Sequence, residues 1–590
     1  MPVKSIATKN SLSLNRFSIL GILTSISIMP TFMDPVNIIK LLFLVCGVGI
    51  LIISSQSSYI KRTDTYFLLT HSLAFFIIIW FIVSSLFNSQ SIYALLFGTW
   101  GRNNGLIYYL SIFSLMFMIS ATKKIESVEK VLHGLFSLGI LFSFYAWMQH
   151  YNLDPVKWIF PWYDLNGNIA LTLGNSNFAS VMLGITFTAT LGKMLDSKRI
   201  SVISFLGICS LIMHILLIPL IDTQGKLVYG VGGSLVFGIW LAQTRLGKIT
   251  NAITSFWWLI TTSAGVFGVL GLFGNGIFAG VLRDNVRNLE DRYYHWVAAI
   301  NIIKSHPWFG VGIDSFGDWH RRFRVQASID LRGTPMSGTD NAHNIFLQLG
   351  STAGLPVLIA YLMMVLLITF FGLVAIQRNK GNISVGTLFA VWIVYIIQSI
   401  VSIDQIGVGV WGWIIAGTLI RFAFNENQTL ENENRKIATN NALKNRNVLI
   451  GFSSFFLILV IAIIPTIIKE YNLLNKLQNL GNLRTQVDFQ KRSSDLLVEA
   501  MEVKQPRLRI IVATYLGKAG AADKALALVK DTAQKYPNEL EAWHLIASIY
   551  ESRRQFSMAI DARKKTIELD PLNEDFRKLL KMDLETGTSP

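Results

Sequence analysis

Apolar runs recur along the chain from residue 17 to residue 468, and most are close to the ~20 residues that a helix needs to cross a hydrocarbon core. Hydropathy predicts about thirteen membrane spans, with ends set to within about two to four residues. The predicted spans are 17–33, 37–55, 66–87, 106–121, 129–149, 176–193, 200–220, 227–243, 254–280, 343–374, 384–402, 406–422 and 447–468. This pattern indicates an all-α protein, built as a polytopic membrane helical bundle.

Basic residues between the spans are concentrated in every second connection. Because cytoplasmic connections carry the excess of Lys and Arg, this alternation places the N-terminus in the cytoplasm. The residues in question are Lys61, Arg62, Lys123, Lys124, Lys193, Lys198, Arg199, Arg245, Lys248, Arg378, Lys380, Arg421, Arg435, Lys436, Lys444 and Arg446. The same topology places the long polar segment 281–342 outside the cytoplasm, and an odd number of spans places the C-terminal tail 469–590 there too.

The tail has a different pattern, with helical periodicity and mixed charge. A 34-residue self-match relates Ala525, Thr532 and Pro537 to Ala559, Thr566 and Pro571, and Trp543 and Tyr550 stand at tetratricopeptide (TPR) spacing. We therefore divide the chain into a membrane domain (1–468), a linker (469–484) and a TPR-like helical domain (485–590). Such a domain either binds a protein partner in its groove or is a helical cap that packs on the membrane domain.

Composition agrees with a membrane protein, because 52% of the residues are hydrophobic and only 15% are charged, against about 25% charged in soluble domains. The formal charge of +16 could indicate nucleic-acid binding. Most basic residues flank apolar runs, however, so membrane topology explains them and we expect no nucleic-acid partner. Cys46 and Cys209 lie in apolar runs and provide neither a disulfide framework nor metal-ligand spacing.

The outer segment 281–342 carries seven arginines and a single lysine, Lys304. The planar guanidinium group matches a phosphate with paired hydrogen bonds, whereas an ammonium acts as a point charge. Contact with anionic headgroups, the alternative, does not require arginine over lysine. The arginines are Arg283, Arg287, Arg292, Arg321, Arg322, Arg324 and Arg332.

Arg102 lies at the outer edge of a predicted span, in LLFGTWGRNNGLIYY, against the topology bias. It is either a phosphate ligand, or the partner of a loop carboxylate, or a side chain that extends to headgroups.

His343 begins the apolar run 343–374. A helix N-terminus disfavours the protonated imidazole, and a neutral imidazole can accept a proton from a hydroxyl nucleophile. The alternative is a histidine that only caps the helix. His295, His306 and His320 lack partners at metal-ligand spacing, so we assign them to loop packing and predict no metal site.

The sequence lacks several catalytic motifs. It has no GxxxxGK[ST] phosphate loop, no Asp-x-Asp pair for a metal-bound nucleotide-sugar, and no GxSxG nucleophile motif. Intramembrane acidic residues are scarce, which argues against a proton-coupled transporter.

Five motifs together resemble the O-antigen ligase and polymerase (Wzy_C) superfamily across about residues 90–422. They are LLFGTWGRNNGL (Gly98, Arg102, Gly105), TLGNSNFAS (Gly174, Asn175, Asn177), Arg292-x-x-x-Trp296, HPWFGVGIDSF (Pro307, Gly310, Gly312, Phe316) and AHNIFLQLGSTAG (His343, Asn344, Leu347, Gly354). Two departures from the family pattern concern the substrate: DTQGK stands where T-x-S-R is common, and Thr352 stands near a family acidic residue.

The resemblance implies a GT-C-like glycosyltransferase of a bacterial plasma (inner) membrane, with its family core at about 205–370 and its catalytic loop at 281–342. It would transfer a glycan from undecaprenyl pyrophosphate to an acceptor hydroxyl, without a metal or other cofactor. By position, His343 would be the base and Arg292 the pyrophosphate ligand. The other candidate ligands for pyrophosphate or glycan are Arg102, Lys226 (in place of the family arginine), Arg283, Arg287, Arg321 and Asn344.

The acceptor stays open among a lipid-linked core sugar, a growing polymer and a protein hydroxyl. Besides the donor and acceptor, we expect membrane lipids as partners, and a protein at the tail if its groove binds one. Two alternatives from other classes are a bicarbonate-type transporter, which should show paired repeats or broken helices, and a non-catalytic TPR assembly factor, which would leave the arginine–histidine group without a purpose.

Overall fold

The computed structural model describes residues 15–32, 34–54, 65–122, 130–156, 168–197, 201–244, 248–273, 276–282, 286–424, 438–478 and 486–588. These residues form helices and connections, with no β-strand in the described ranges. Eleven of the helices are long and apolar enough to cross a membrane. The prediction of an all-α, polytopic helical bundle is therefore confirmed.

The membrane helices begin close to where the apolar runs predict them. Two of the predicted spans correspond to shorter apolar helices, α1 and α5. The helices are α1 (Arg16–Ile26), α2 (Asn37–Ser54), α3 (Thr65–Phe87), α4 (Ile92–Phe97), α5 (Leu106–Ser120), α6 (Val131–His150), α7 (Ser176–Asp196), α8 (Val202–Leu217, followed by a 3-10 turn Ile218–Leu220), α9 (Thr223–Thr244), α10 (Lys248–Phe273) and α11 (Ile277–Leu282).

Three further helices follow outside the bundle core and then the bundle resumes. The outer helices are α12 (Arg287–Ser305), α13 (Phe316–Phe323) and α14 (Gln326–Arg332), and the bundle continues with α15 (Ile345–Ala353), α16 (Leu355–Arg378), α17 (Ile383–Val401), α18 (Ile406–Ala423) and α19 (Ala438–Gln478). Helix α18 is the centre of the bundle, because every one of its residues is buried against α1, α2, α5, α16 and α17.

The predicted span 343–374 is wrong as a single helix. It is divided at Gly354, whose φ of +89° and whose closeness to the Trp308 carbonyl leave no room for a side chain. The amides of Val311 and Gly312 donate to the last carbonyls of α15, at 3.1 and 2.9 Å. Because segment 307–312 satisfies these carbonyls, α15 ends there and α16 starts in a new direction.

The tail forms six helices with the spacing of the sequence repeat. Successive helix pairs begin 34 residues apart, at Pro506 and Leu540 and at Ala522 and Phe556, as the repeat predicts. The helices are α20 (Gln486–Glu502), α21 (Pro506–Lys518), α22 (Ala522–Lys535), α23 (Leu540–Ser552), α24 (Phe556–Leu569) and α25 (Glu574–Thr588). Residues 469–478, assigned to the linker, instead continue α19, and residues 479–485 lie outside the described ranges.

Candidate functional site

His343 lies at the junction between the outer segment and the bundle. Its φ is +52°, and its amide donates to the Asn341 side chain at 2.9 Å. The next residue, Asn344, is the N-cap of α15, since its side-chain oxygen accepts from the Leu347 amide at 3.0 Å. The sequence predicts that His343 begins this helix, whereas in the structure it lies just before the N-cap. Asn344, a predicted ligand, uses its side-chain oxygen as the cap.

Three imidazole rings pack against one another beside this junction. The ring of His343 packs on His295 at a centroid distance of 5.5 Å, and His295 meets His320 edge to face at 5.2 Å. Nδ1 of His295 lies 3.3 Å from Nε2 of His320. Burial lowers the pKa of all three histidines, and for His343 the neighbouring His295 and Arg292 lower it further. His343 is thus held as a neutral imidazole, which can accept a proton.

Arg292 is carried by α12, one position from Asp291 and one turn from His295 and Trp296. Arg292 is 5% exposed, and the side-chain amide of Gln224 lies against its guanidinium group. With that amide assigned the orientation that satisfies both groups, its oxygen accepts from both terminal nitrogens of Arg292. Burial lowers its pKa to about 10, so the group stays charged at neutral pH, and Asp291 and Asp222 are near enough to oppose that shift.

No carboxylate of the described residues lies within ion-pair distance of Arg292. The adjacent Asp291 is instead bound to Arg332 by two hydrogen bonds of 2.6 and 2.7 Å. Burial raises the pKa of Asp291, but hydrogen bonds from His295 and Arg332 outweigh it and hold that pKa below its usual value. Since a buried charge is costly without a counterion, the Arg292 guanidinium is suited to receive an anion.

Arg102 belongs to the outer connection before α5. Its guanidinium group binds Asp340 through two hydrogen bonds of 2.9 and 3.1 Å. Burial favours a higher pKa for Asp340, but Arg102 overcomes this and keeps it below the usual value. The sequence left three roles open for Arg102, and the one that the structure shows is a pairing with a loop carboxylate. Both charges act on the pKa of His343, which Asp340 raises and Arg102 lowers.

The connection that carries Arg102 is anchored on both sides. The side chain of Asn103 donates to Asp34 at 2.7 Å, and the Thr99 amide donates to Asp314 at 2.7 Å. Asp34 in turn caps α2 by accepting from the amides of Asn37 and Ile38. Arg102 is therefore brought to His343 by contacts between residues far apart in sequence.

The other predicted ligands are placed elsewhere. Lys226 is exposed, and no described contact joins it to Arg292 or His343; Gln224, two residues earlier, makes the contact. Arg287 is exposed and donates to the Leu331 carbonyl at 2.9 Å. Arg321 pairs with Glu541 and Asp570 of the tail. Arg283 lies outside the described residues.

Sequence reasoning missed His295, Asp340 and Gln224. Segment 287–305 is a helix, so Asp291 and His295 share one face with Arg292 and Trp296 at the next positions. This i, i+4 spacing is readable in the sequence once the segment is recognised as a helix. The packing of the three histidine rings on one another, and the pairing of Asp340 with Arg102, have no comparable signal in the local sequence.

A cavity of about 20 Å³, room for about one water molecule, lies close to the start of α15 and is lined by Asn341 and Ile345. Thr352 lines it together with Asp314 and Asp404, whose pKa values burial raises to about 7. Two carboxyl groups from other connections therefore lie in the same cavity as Thr352. Among the described residues, no group of three or more His, Cys, Asp or Glu could hold a metal ion.

Comparison with known proteins gives one family. The family model Wzy_C, described as O-antigen ligase, matches residues 169–362, which include Gln224, Arg292 and His343 but neither Arg102 nor the tail. No curated protein matches the chain. The resemblance seen in the motifs is confirmed over the matched residues, and it supports a function of the membrane O-antigen ligase or polymerase type. This multi-pass membrane protein therefore contains a region, residues 169–362, that is similar to the O-antigen ligase (Wzy_C) family.

Proposed function

We propose that the protein transfers a glycan from undecaprenyl pyrophosphate to an acceptor hydroxyl at the non-cytoplasmic face of a bacterial plasma membrane. The observation that carries this proposal is the pairing of two groups. One is Arg292, a buried cation with no carboxylate at ion-pair distance in the described ranges, and the other is the neutral imidazole of His343 beside it. One group suits a diphosphate and the other suits a hydroxyl proton.

In the proposed reaction, the acceptor hydroxyl loses its proton to His343 as its oxygen attacks the anomeric carbon of the first donor sugar. The bond between that carbon and the pyrophosphate oxygen breaks, and undecaprenyl pyrophosphate leaves with the electron pair. Attack from the opposite side inverts the anomeric centre. Negative charge develops on the leaving group, where the guanidinium of Arg292 stabilises it, so the proposal requires no metal ion.

Arg102 is the proposed second ligand, under one condition. Its guanidinium group already makes two hydrogen bonds to Asp340, so the pyrophosphate must share or replace that carboxylate. Gln224 has a positioning role in this proposal, because it orients Arg292 without neutralising it.

The proposed topology has contact support. The outer segment and the tail touch through several ion pairs, which supports a topology with both on the same side of the membrane. That arrangement requires an even number of spans between them, and four long apolar helices, α16 to α19, follow the outer segment. When α1 and α5 are added to the eleven longer helices the total is odd, as a cytoplasmic N-terminus and a non-cytoplasmic tail require. The acceptor may be sought among lipid, polymer and protein fractions, since the site residues do not distinguish them.

The test is transfer from a purified undecaprenyl-pyrophosphate glycan in proteoliposomes. His343→Ala should reduce the transfer rate by about two to four orders of magnitude, as expected for loss of a general base. Arg292→Lys should also fail, because an ammonium keeps the charge without the paired hydrogen bonds. Arg378→Lys, at the far end of α16, is the matched control. Full transfer by His343→Ala would overturn the proposed base.

The acceptor class is tested in cells. Glycan profiles of a deletion strain should lose material from the lipid, the polymer or the protein fraction, and re-expression of the wild-type chain should restore it. An unchanged profile in all three fractions would contradict the proposed function.

A further inference from the structure

Arginines from the second half of the outer segment extend into the C-terminal tail. Arg324 binds both carboxylate oxygens of Asp570, at 2.6 and 2.8 Å. The two side chains are 1% and 0% exposed, so this ion pair is shielded from solvent. Removing either partner would leave the other charge buried and uncompensated.

Two neighbouring arginines extend the contact. Arg321 lies 3.6 Å from Asp570 and donates to Glu541 at 3.0 Å, while Arg322 donates to Asn538 at 2.8 Å. Asn538 lies in the turn before α23 and Glu541 in the first turn of that helix, whereas Asp570 directly follows α24. Both places are next to the prolines of the 34-residue repeat, Pro537 and Pro571. The repeat thus presents corresponding turns to the outer segment.

The guanidinium group of Arg324 also holds the chain that leads to the site. It donates to the carbonyl oxygens of Pro335 and Ser337, both at 2.8 Å. From the tail, Asn573 donates to the same Pro335 oxygen at 3.4 Å. Three residues after Ser337 comes Asp340, the partner of Arg102 and a neighbour of His343.

We propose that the tail is a positioning element of the active site and that Asp570 is its positioning residue. Asp570 neutralises and orients Arg324, Arg324 holds residues 335–337, and these residues set Asp340 against Arg102 beside His343. The proposal rests on the proposed glycosyl transfer for its functional consequence. A tail that only recruits an acceptor would change KM for the acceptor. A tail that positions the active site changes kcat, because it acts on the complex that has already bound both substrates.

The test compares Asp570→Asn with Asp583→Asn in the full-length protein. Asp583 is an equally buried carboxylate, 2% exposed, which pairs with Arg563 inside the tail at 3.3 Å. No contact among the described residues joins it to the outer segment. Asp570→Asn should lower kcat by about tenfold to a hundredfold at saturating acceptor, as expected for a small misplacement, and should shift the pH profile of kcat/KM. Asp583→Asn should change kcat by less than about a tenth of that effect.

Hydrogen–deuterium exchange gives a readout that does not depend on transfer. The peptide covering 333–342 should exchange faster in Asp570→Asn, while α21 to α24 keep their protection. Equal kcat in the two variants, or unchanged exchange at 333–342, would overturn the inference. If the wild-type protein showed no glycan transfer at all, the proposed function would be overturned instead. The exchange experiment would still decide the role of Asp570.

A double variant separates folding from positioning. Arg324→Met with Asp570→Leu removes both buried charges, which is often neutral for stability, but it also removes the donor to Pro335 and Ser337. We expect a folded protein with the low kcat of Asp570→Asn. Wild-type kcat in this double variant would contradict the proposal.

Discussion

Arg292 and Arg324 are both buried arginines of the outer segment, with 5% and 4% of their surface exposed, yet their surroundings differ. Arg324 is neutralised by Asp570 and also satisfied by two carbonyl oxygens. Arg292 has an uncharged amide, Gln224, and no carboxylate at ion-pair distance in the described part of the chain. The comparison shows that the number of arginines in a segment says little about function. What separates Arg292 from Arg324 is whether a carboxylate at ion-pair distance already compensates the charge.

The largest effects should come from replacing each arginine with methionine. Arg292→Met should reduce transfer about a hundredfold or more, because the leaving-group charge loses its stabiliser. It should leave the free energy of unfolding unchanged or higher, since an uncompensated buried charge is removed.

Arg324→Met should instead lower the free energy of unfolding by about 3 kcal/mol, because Asp570 is left buried and unpaired. Denaturant unfolding in detergent, beside the transfer assay, checks both variants. Equal losses of stability in Arg292→Met and Arg324→Met would contradict the proposed difference between the two arginines.

A smaller effect is expected at Asp340, which pairs with Arg102 near His343. Asp340→Asn keeps the shape but removes the charge that pairs with Arg102 and raises the pKa of His343. The base should become weaker, so kcat/KM should fall by about tenfold, a Brønsted response to a lowered pKa. The pH–rate profile checks this, and its acidic limb should move to lower pH. A limb that stays in place would mean that Asp340 does not act on His343.

The contact between the outer segment and the tail should weaken as pH rises. Asp318 keeps part of its surface exposed, but desolvation by the surrounding chain and the neighbouring Glu541 raise its pKa to about 7. Glu539 is also near it, while Arg322 opposes the shift. A raised carboxyl pKa means that the docked state holds a proton which the undocked state releases. Its stabilisation is therefore full below the ordinary pKa of 3.8 and is lost as pH rises through about 7. Exchange rates at the interface, measured between pH 5 and 8, check the direction. Asp318→Asn should remove this dependence.

The smallest effect is expected at Lys226. Its side chain is exposed and has no described contact with Arg292 or His343. Lys226→Ala should therefore change kcat/KM by less than about threefold, well under 1 kcal/mol. A loss as large as that of Arg292→Met would mean that an exposed lysine also binds the leaving group, which would remove the distinction drawn here.

Much of the membrane fold is predictable because an apolar run of about 20 residues has few alternatives to a helix in lipid. The break at Gly354 is an exception. It depends on amides from Val311 and Gly312 that cap α15, and those residues are about forty positions earlier in the chain. A hydropathy window averages over such a break and reports one span.

Candidate site residues are predictable where a local pattern or a family motif carries the information. His343 and Arg292 are candidates of this kind, and their role is a proposal. Arg321 was assigned to substrate binding, whereas it pairs with the tail residues Glu541 and Asp570. Lys226 was selected by its place in a motif, but the neighbouring Gln224 makes the contact with Arg292.

By itself, the sequence determined the helical membrane bundle, the separate helical tail and the arginine-rich outer segment between them. Hydrophobicity and charge along the chain suffice for these features, because each reflects the solvent that a segment meets. Only the tertiary structure decided which arginine is neutralised by a carboxylate and which has none at ion-pair distance among the described residues. That outcome depends on partners such as Asp570, which is 246 residues from Arg324 in sequence. The energy of a buried charge is set by such neighbours and not by its own residue type.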